Sequence, residues 1–176
     1  MAFMINPSDT TGQGGNSSTG RPTLTPGVRT LWVCGVDFGT SQAGNIKISV
    51  RLICVDDGGD GSEVGAYCWD SFVLTPGAAD RLSRFAKAVG EQEQFDAEDE
   101  AVVDEILRRC PVVAELHVEE FNGKTSVRPV RNTYDPHQGE VPEDWEALVQ
   151  RGEEWHEGGK VKRTGAPVGT DADIPF

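Results

Sequence analysis

The sequence predicts a mainly β domain with one or two helices, built as a five-stranded Greek-key barrel between disordered N- and C-terminal tails. Residues 28–131 carry five β-rich runs, and in one of them apolar and polar residues alternate strictly. Asn122-Gly123 joins the last two runs, and Asn-Gly between β-rich segments is the strongest short hairpin signal. Gly, Ser, Pro or acidic residues dominate both ends of the chain, which therefore cannot bury a core.

The first three strands are expected at about 28–38, 45–55 and 66–74. The second is the clearest, because Lys47, Ser49 and Arg51 lie between apolar residues that share the opposite face: Ile46, Ile48, Val50 and Leu52. The third strand contains Tyr67 and Trp69, which share one face by the same alternation.

Two helices are expected next. The first, at about 77–89, has apolar residues at helical spacing and ends at Gly90. The second, at about 97–109, carries its acidic residues early and its arginines late, which suits the helix dipole. The last two strands follow at 112–121 and 124–131.

These elements divide the chain into four segments. A disordered N-terminal arm is expected at 1–27, and the barrel domain at 28–134. An acidic flexible tail follows at 135–170, with one possible short helix near 143–151, and the chain ends in a tip at 171–176.

The net charge of -13 argues at first sight against nucleic-acid binding, but its distribution changes that conclusion. Residues 1–90 hold 7 Lys/Arg and 8 Asp/Glu, whereas residues 91–176 hold 9 and 21. A nearly neutral body can still present a basic face. An acidic tail can compete with DNA for that face, and salt would screen the effect.

Composition also bears on the cellular compartment. No run approaches the ~18 apolar residues of a membrane helix, and the first residues lack the basic flank of a signal peptide. The sequence therefore predicts a cytoplasmic protein. Cys34, Cys54, Cys68 and Cys110 are not paired at metal-ligand spacing, and we expect buried, reduced thiols.

The order of three strands, a helix and then a hairpin resembles the OB (oligonucleotide-binding) barrel, in which a helix commonly lies between the third and fourth strands. The resemblance covers about residues 28–131 and is a pattern of elements rather than a motif. The second helix departs from it. The tight last turn departs as well, because it shortens a loop that often clamps DNA in that family.

The last six residues, Asp171-Ala172-Asp173-Ile174-Pro175-Phe176, resemble the acidic tip of bacterial single-stranded DNA-binding proteins and of phage proteins that do the same job. In that family the tip ends Asp-Ile-Pro-Phe and recruits replication, recombination and repair enzymes. Here Ala172 interrupts the acidic run. The resemblance implies a partner-binding role for Asp171, Asp173, Ile174, Pro175 and Phe176. The body shows no extended match to the bacterial proteins, which favours a diverged phage-type member.

The chemistry of the tip agrees with recruitment. Pro175 fixes its own φ and restricts Ile174 to extended geometry, so less entropy is lost on docking. A pocket beside an Arg or Lys could hold the ring of Phe176 together with its carboxylate.

Single-strand binding needs cations for phosphates and flat aromatic rings for bases. In an OB barrel the second and third strands form much of the binding face. The candidate DNA-binding residues are Lys47, Arg51, Tyr67, Trp69, Phe121, Lys124, Arg128 and Arg131. Each cation could instead be merely solvated, and each aromatic could instead be core. Trp32 lies in a more apolar run and is expected in the core.

No catalytic residue, metal or cofactor is predicted. Residues 39–44 have the spacing of a phosphate-binding loop, but Asn45 and Ile46 replace its Lys and Ser/Thr. Residues 56–61 hint at a calcium loop, but Gly58 stands at a ligand position. The aspartates that could in principle converge as a two-metal nuclease site are Asp37, Asp56, Asp57 and Asp70.

The sequence thus favours a non-enzymatic protein that binds single-stranded DNA without sequence preference, possesses a tip that recruits replication, recombination or repair proteins, and acts in the cytoplasm, that of a bacterial host if the protein is viral. Homo-oligomerisation stays open. One alternative is a phage structural or adaptor β-protein whose tip resemblance is accidental. The other is a metal-dependent nuclease.

Overall fold

The computed structural model describes residues 22–131, 133–140 and 143–164. Within these ranges the strands are β1 (Gly27–Thr40), β2 (Ile46–Asp56), β3 (Tyr67–Val73), β4 (Val112–Phe121), β5 (Lys124–Pro129) and β6 (Asp135–Pro136). The helices are α1 (Ala79–Ala88), α2 (Glu100–Leu107) and α3 (Trp145–Thr164). Every strand and helix expected over residues 28–131 is present, with ends that differ by three residues at most.

The strands form one antiparallel sheet in the order β3-β2-β1-β4-β5, and β6 adds to β4. The fourth strand returns beside the first after a long connection that contains α1 and α2, which is the Greek-key order. β3 and β5, at the two ends of this path, also contact each other. The sheet therefore curls into a barrel-like fold, and the predicted mainly β class is confirmed.

β1 makes this curvature possible because it pairs with a different strand on each side of the sheet. It pairs with β4 over residues 27–31 and with β2 over residues 30–40. The register with β2 shifts between Thr30 and Leu31 and again between Val33 and Gly35. Such bulges bend a strand and increase its twist.

The core fills the inside of the curled sheet, and α1 and α2 close it. Phe85 of α1 packs against Phe72 of β3, with ring centroids 5.6 Å apart. Val103, Ile106 and Leu107 of α2 are buried in the same core cluster. The helical spacing of these apolar residues is the reason that the two helices dock where the sequence places them.

A buried polar network ties α1 to β3 and to the segment after β5. Asp70 accepts two hydrogen bonds from Arg81, at 2.9 and 3.1 Å, and one from the hydroxyl of Tyr134 at 2.5 Å. Burial, and next the charge of Asp70, raise the pKa of Tyr134 well above its usual value. The carboxylate of Asp70 is therefore a structural anchor inside the barrel.

The predicted tails need correction where the structure describes them. Leu24 is buried in the core, and Thr25 is hydrogen bonded to Glu63, so the last residues of the expected arm pack on the barrel. Residues 145–164, expected to be mostly flexible tail, form the 20-residue helix α3, which packs on β1 and β2. Residues 1–21 and 165–170 lie outside the described residues.

The cysteines are free, as expected, and Cys34, Cys54 and Cys68 are buried. Burial raises the pKa of both Cys34 and Cys54 to about 12, so these thiols are poor nucleophiles at neutral pH. Cys110 corrects the prediction, because it lies exposed after the end of α2. Of the helices in the described ranges, none is long and apolar enough to span a membrane.

Candidate nucleic-acid interface

The strict alternation of β2 gives it two different faces, as predicted. Ile48, Val50 and Leu52 are fully buried on the inner face. Lys47, Ser49 and Arg51 point to the other side, which we call the outer face of β1, β2 and β3. In the register with β3, Arg51 is paired with Trp69 and the neighbouring Ile53 is paired with Tyr67. Four of the predicted site residues, Lys47, Arg51, Tyr67 and Trp69, therefore share one face.

Arg51 does not have the environment expected of a phosphate contact. Its side chain is buried, and its guanidinium carbon lies 4.7 Å from the ring centroid of Tyr67 and 4.5 Å from that of Trp69. A desolvated cation over aromatic rings is held by cation–π attraction. In this conformation Arg51 therefore organises the two rings and is not open to a phosphate, and its predicted role in DNA binding stays a prediction.

Helix α3 buries this arginine, because it lies across the outer face. At its N-terminal end Trp145 stacks on Trp32, with centroids 3.9 Å apart and planes 8° apart. At mid-helix a Cβ added to Gly152 would meet the Sγ atom of Cys34 at 2.7 Å. Further along, buried His156 lies 5.5 Å from the ring of Trp69. The part of the expected interface around Arg51 is thus covered.

Two cations of the predicted site, Lys47 and Arg128, lie close enough for the charge of one to act on the other. Partial burial, and next the charge of Arg128, lower the pKa of Lys47. Lys47 is on β2 and Arg128 on β5, and the contact between β3 and β5 brings these two parts of the sheet toward each other. Arg128 also forms an ion pair with Glu119 at 3.4 Å. An anion such as a phosphate bound here would relieve the repulsion between the two cations.

The β4–β5 hairpin carries further predicted residues. Asn122 and Gly123 make its two-residue turn with φ of 52° and 73°, as the Asn-Gly signal predicts. Phe121 is paired with Lys124 beside the turn, and 61% of Phe121 is exposed. Arg131, just after β5, is exposed as well. Phe121, the last residue of β4, is therefore available for stacking, with Lys124 of β5 opposite it.

The aspartates of the nuclease alternative do not form a site. Asp70 is bound to Arg81 and Tyr134 inside the barrel, whereas Asp37 lies on the outer face, 3.1 Å from His156. Asp57 accepts hydrogen bonds from the backbone of its own loop. Among the described residues, no group of three His, Cys, Asp or Glu side chains is placed to hold a metal ion.

The partner-binding residues Asp171, Asp173, Ile174, Pro175 and Phe176 lie outside the described residues. Trp32, expected in the core, is buried, but it is buried against Trp145 on the outer face rather than inside the barrel.

The sequence reasoning missed the contact residues of α3. They fall at 145, 148, 149, 152 and 156, which is the spacing of one helix face. Glycine and histidine at the last two positions interrupt the apolar signal, and for that reason only a short helix was expected near 143–151.

Comparison with known proteins adds no relative: the chain matches no family model, and the curated proteins give no significant match either.

Proposed function

We propose that the protein binds single-stranded DNA without sequence preference through the outer face of its barrel, and that it recruits replication, recombination or repair proteins through the tip. The observation that carries the proposal is the outer face itself. A curled sheet in Greek-key order carries cations and aromatic rings on one face of neighbouring strands, with Lys47 and Arg51 on β2 and Tyr67 and Trp69 on β3, and these are the two groups that single-strand binding uses.

Lys47 and Arg128 provide the electrostatic part of the proposed site. The two side chains make a cationic centre, bordered by Glu119, on a chain whose overall charge is strongly negative, and partial burial and next the charge of Arg128 lower the pKa of Lys47. A phosphodiester backbone fits such a centre because it brings a negative charge with each nucleotide. Phe121, Tyr67 and Trp69 provide rings on which bases of any identity can stack, so no sequence preference is expected.

The tip completes the proposal. Two carboxylates, an apolar pair and a proline at residues 171–176 suit capture by a pocket lined with a cation. The proposed setting is the cytoplasm, where such partners act on exposed single strands. Recruitment and DNA binding use different parts of the chain and can be tested separately.

The test is a titration of fluorescently labelled oligo-dT, followed by anisotropy at two salt concentrations. Affinity should fall with salt. Lys47→Gln and Arg128→Gln should each weaken binding and each reduce the slope of log affinity against log salt by about 0.7, the value for one lost phosphate contact on a single strand. Arg84→Gln is the matched control, because Arg84 is an exposed cation of α1 away from the outer face. No affinity for oligo-dT at low salt, in the full chain and in variants that open the outer face, would contradict the proposal.

A second candidate function is favoured by one observation, the cover that α3 makes over the outer face. A structural or adaptor protein would keep this face permanently closed and would use the barrel only as a scaffold. That protein would show no oligo-dT binding in any variant, including those in which α3 is forced off the sheet.

A further inference from the structure

The contact between Trp145 and Trp32 has the geometry of a stacked base. The two indole planes are nearly parallel, and their ring centroids are 3.9 Å apart. The ring of Trp32 is fixed in position, since its Nε1–H donates a 2.8 Å hydrogen bond to the carbonyl of Arg108. Trp32 is therefore a rigid flat platform on the outer face, and Trp145 of α3 occupies it.

The rest of the face beneath α3 has the same character. On β3, Tyr67 and Trp69 flank the guanidinium of Arg51. On β1, Asp37 lies beside His156 of α3. Three aromatic rings and one arginine thus lie near one another on three neighbouring strands, and such groups can stack bases. The aliphatic side chains that α3 covers, those of Ile53, Val55 and Val64, lie beside these rings.

Several features of α3 weaken the helix itself and its attachment to the sheet. Gly152, Gly158 and Gly159 lie inside α3, and glycine is among the poorest helix formers. Gly152 is needed for the close approach to Cys34. An ion pair between Glu153 and Arg108, at 2.6 Å, fastens α3 to the end of α2, but both side chains are partly exposed, where salt and solvent weaken it. Such a helix depends on its packing against the sheet and unfolds when that packing is lost.

We infer that α3 is a displaceable cover, and that Trp32, Arg51, Tyr67 and Trp69 beneath it are a second part of the single-strand-binding surface that opens only when α3 leaves. The inference rests on the proposed function and adds its regulation. DNA and α3 compete for one face, with Trp145 standing in for a base on Trp32. The apparent affinity for DNA is then the intrinsic affinity reduced by the fraction of molecules that are open.

Locking the cover tests the inference directly. Gly152→Cys, made in a Cys110→Ser background, places a thiol against the native Cys34. The added Cβ lies 2.9 Å from the Cβ of Cys34, somewhat closer than a relaxed disulfide requires, so a small shift allows the bond. Alkylation of the remaining thiols measures its formation. The oxidised protein should bind oligo-dT at least about tenfold more weakly than the same protein after reduction.

Opening the cover is the complementary test. In Gly35→Ala, the new Cβ would lie 2.7 Å from Cγ of His156. Because Cγ is the ring atom bonded to the Cβ of His156, rotation of the side chain does little to remove this clash. This variant should bind oligo-dT about tenfold more tightly than the wild type. Gly39→Ala is the matched control on the same strand, because nothing lies within 4 Å of its added Cβ, and its affinity should not change.

The outcomes separate the inference from the proposed function. If the wild type binds oligo-dT and neither the lock nor Gly35→Ala changes its affinity, the cover is not displaced and the inference is wrong, while the proposed function stands. Failure of Cys34 and Gly152→Cys to cross-link would also overturn it, since the structure holds them in contact. If no variant binds, Gly35→Ala included, both proposals fail.

Discussion

Replacing Arg51 by alanine should destabilise the barrel rather than simply remove a DNA contact. The side chain is 7% exposed, and its guanidinium lies within 5 Å of two ring centroids. A desolvated cation–π contact contributes about 2 kcal/mol, so the loss of two contacts should lower the free energy of unfolding by about 2–4 kcal/mol. Lys47→Ala, on the same strand and more exposed, should change it by less than about 0.5 kcal/mol.

Urea unfolding followed by tryptophan fluorescence measures this difference. With a slope of about 2 kcal/mol per molar urea, the midpoint of Arg51→Ala should fall by about 1–2 M. Arg51→Lys should fall between the wild type and Arg51→Ala, because lysine keeps the charge but lacks the flat guanidinium that lies over both rings. A loss below about 1 kcal/mol for Arg51→Ala would refute the view that this arginine organises the outer face.

The other predictions concern the hydrogen bond between Tyr134 and Asp70, the contacts of Glu63 with Arg29 and Thr25, and the tip. Tyr134→Phe removes a hydrogen bond to the carboxylate of Asp70 and should cost about 1.5–3 kcal/mol in thermal or urea unfolding, with DNA binding unchanged. Burial alone would raise the pKa of Glu63, but hydrogen bonds from Arg29 and Thr25 outweigh it and lower the pKa. Glu63→Gln should therefore destabilise at neutral pH. The deficit should shrink as the pH falls below 4.5 and through the lower folded-state pKa, as unfolding across a pH series would show. Phe176→Ala should abolish pull-down of replication and recombination proteins without changing the unfolding midpoint, and unchanged pull-down would count against recruitment.

The cover and the tip are linked by the order of the chain. α3 is followed by the segment that leads to residues 171–176. A strand of DNA that displaces α3 would also move the point from which this segment starts. The locked and reduced forms of Gly152→Cys therefore offer a way to ask whether recruitment depends on the open state.

The sequence by itself determined the elements of the barrel. Strict alternation along 46–52, the Asn122-Gly123 turn and the apolar spacing of α1 and α2 are local patterns. They specify local geometry because side-chain direction and turn conformation depend on neighbouring residues. These patterns also identified the outer face, since Lys47, Arg51, Tyr67 and Trp69 do share it.

Only the tertiary structure decided which of these residues are accessible. Arg51 is buried by a helix that begins 94 positions later in the chain, and the charge of Arg128 on β5 acts on Lys47 of β2 because the curled sheet brings β3 and β5 into contact. Nothing local to β2 encodes either contact. Burial depends on what packs against a face, and the partner here is a glycine-containing helix whose own sequence resembles a flexible tail. The alternation of a strand gives the direction of each side chain, whereas the long-range packing of α3 and β5 gives its environment.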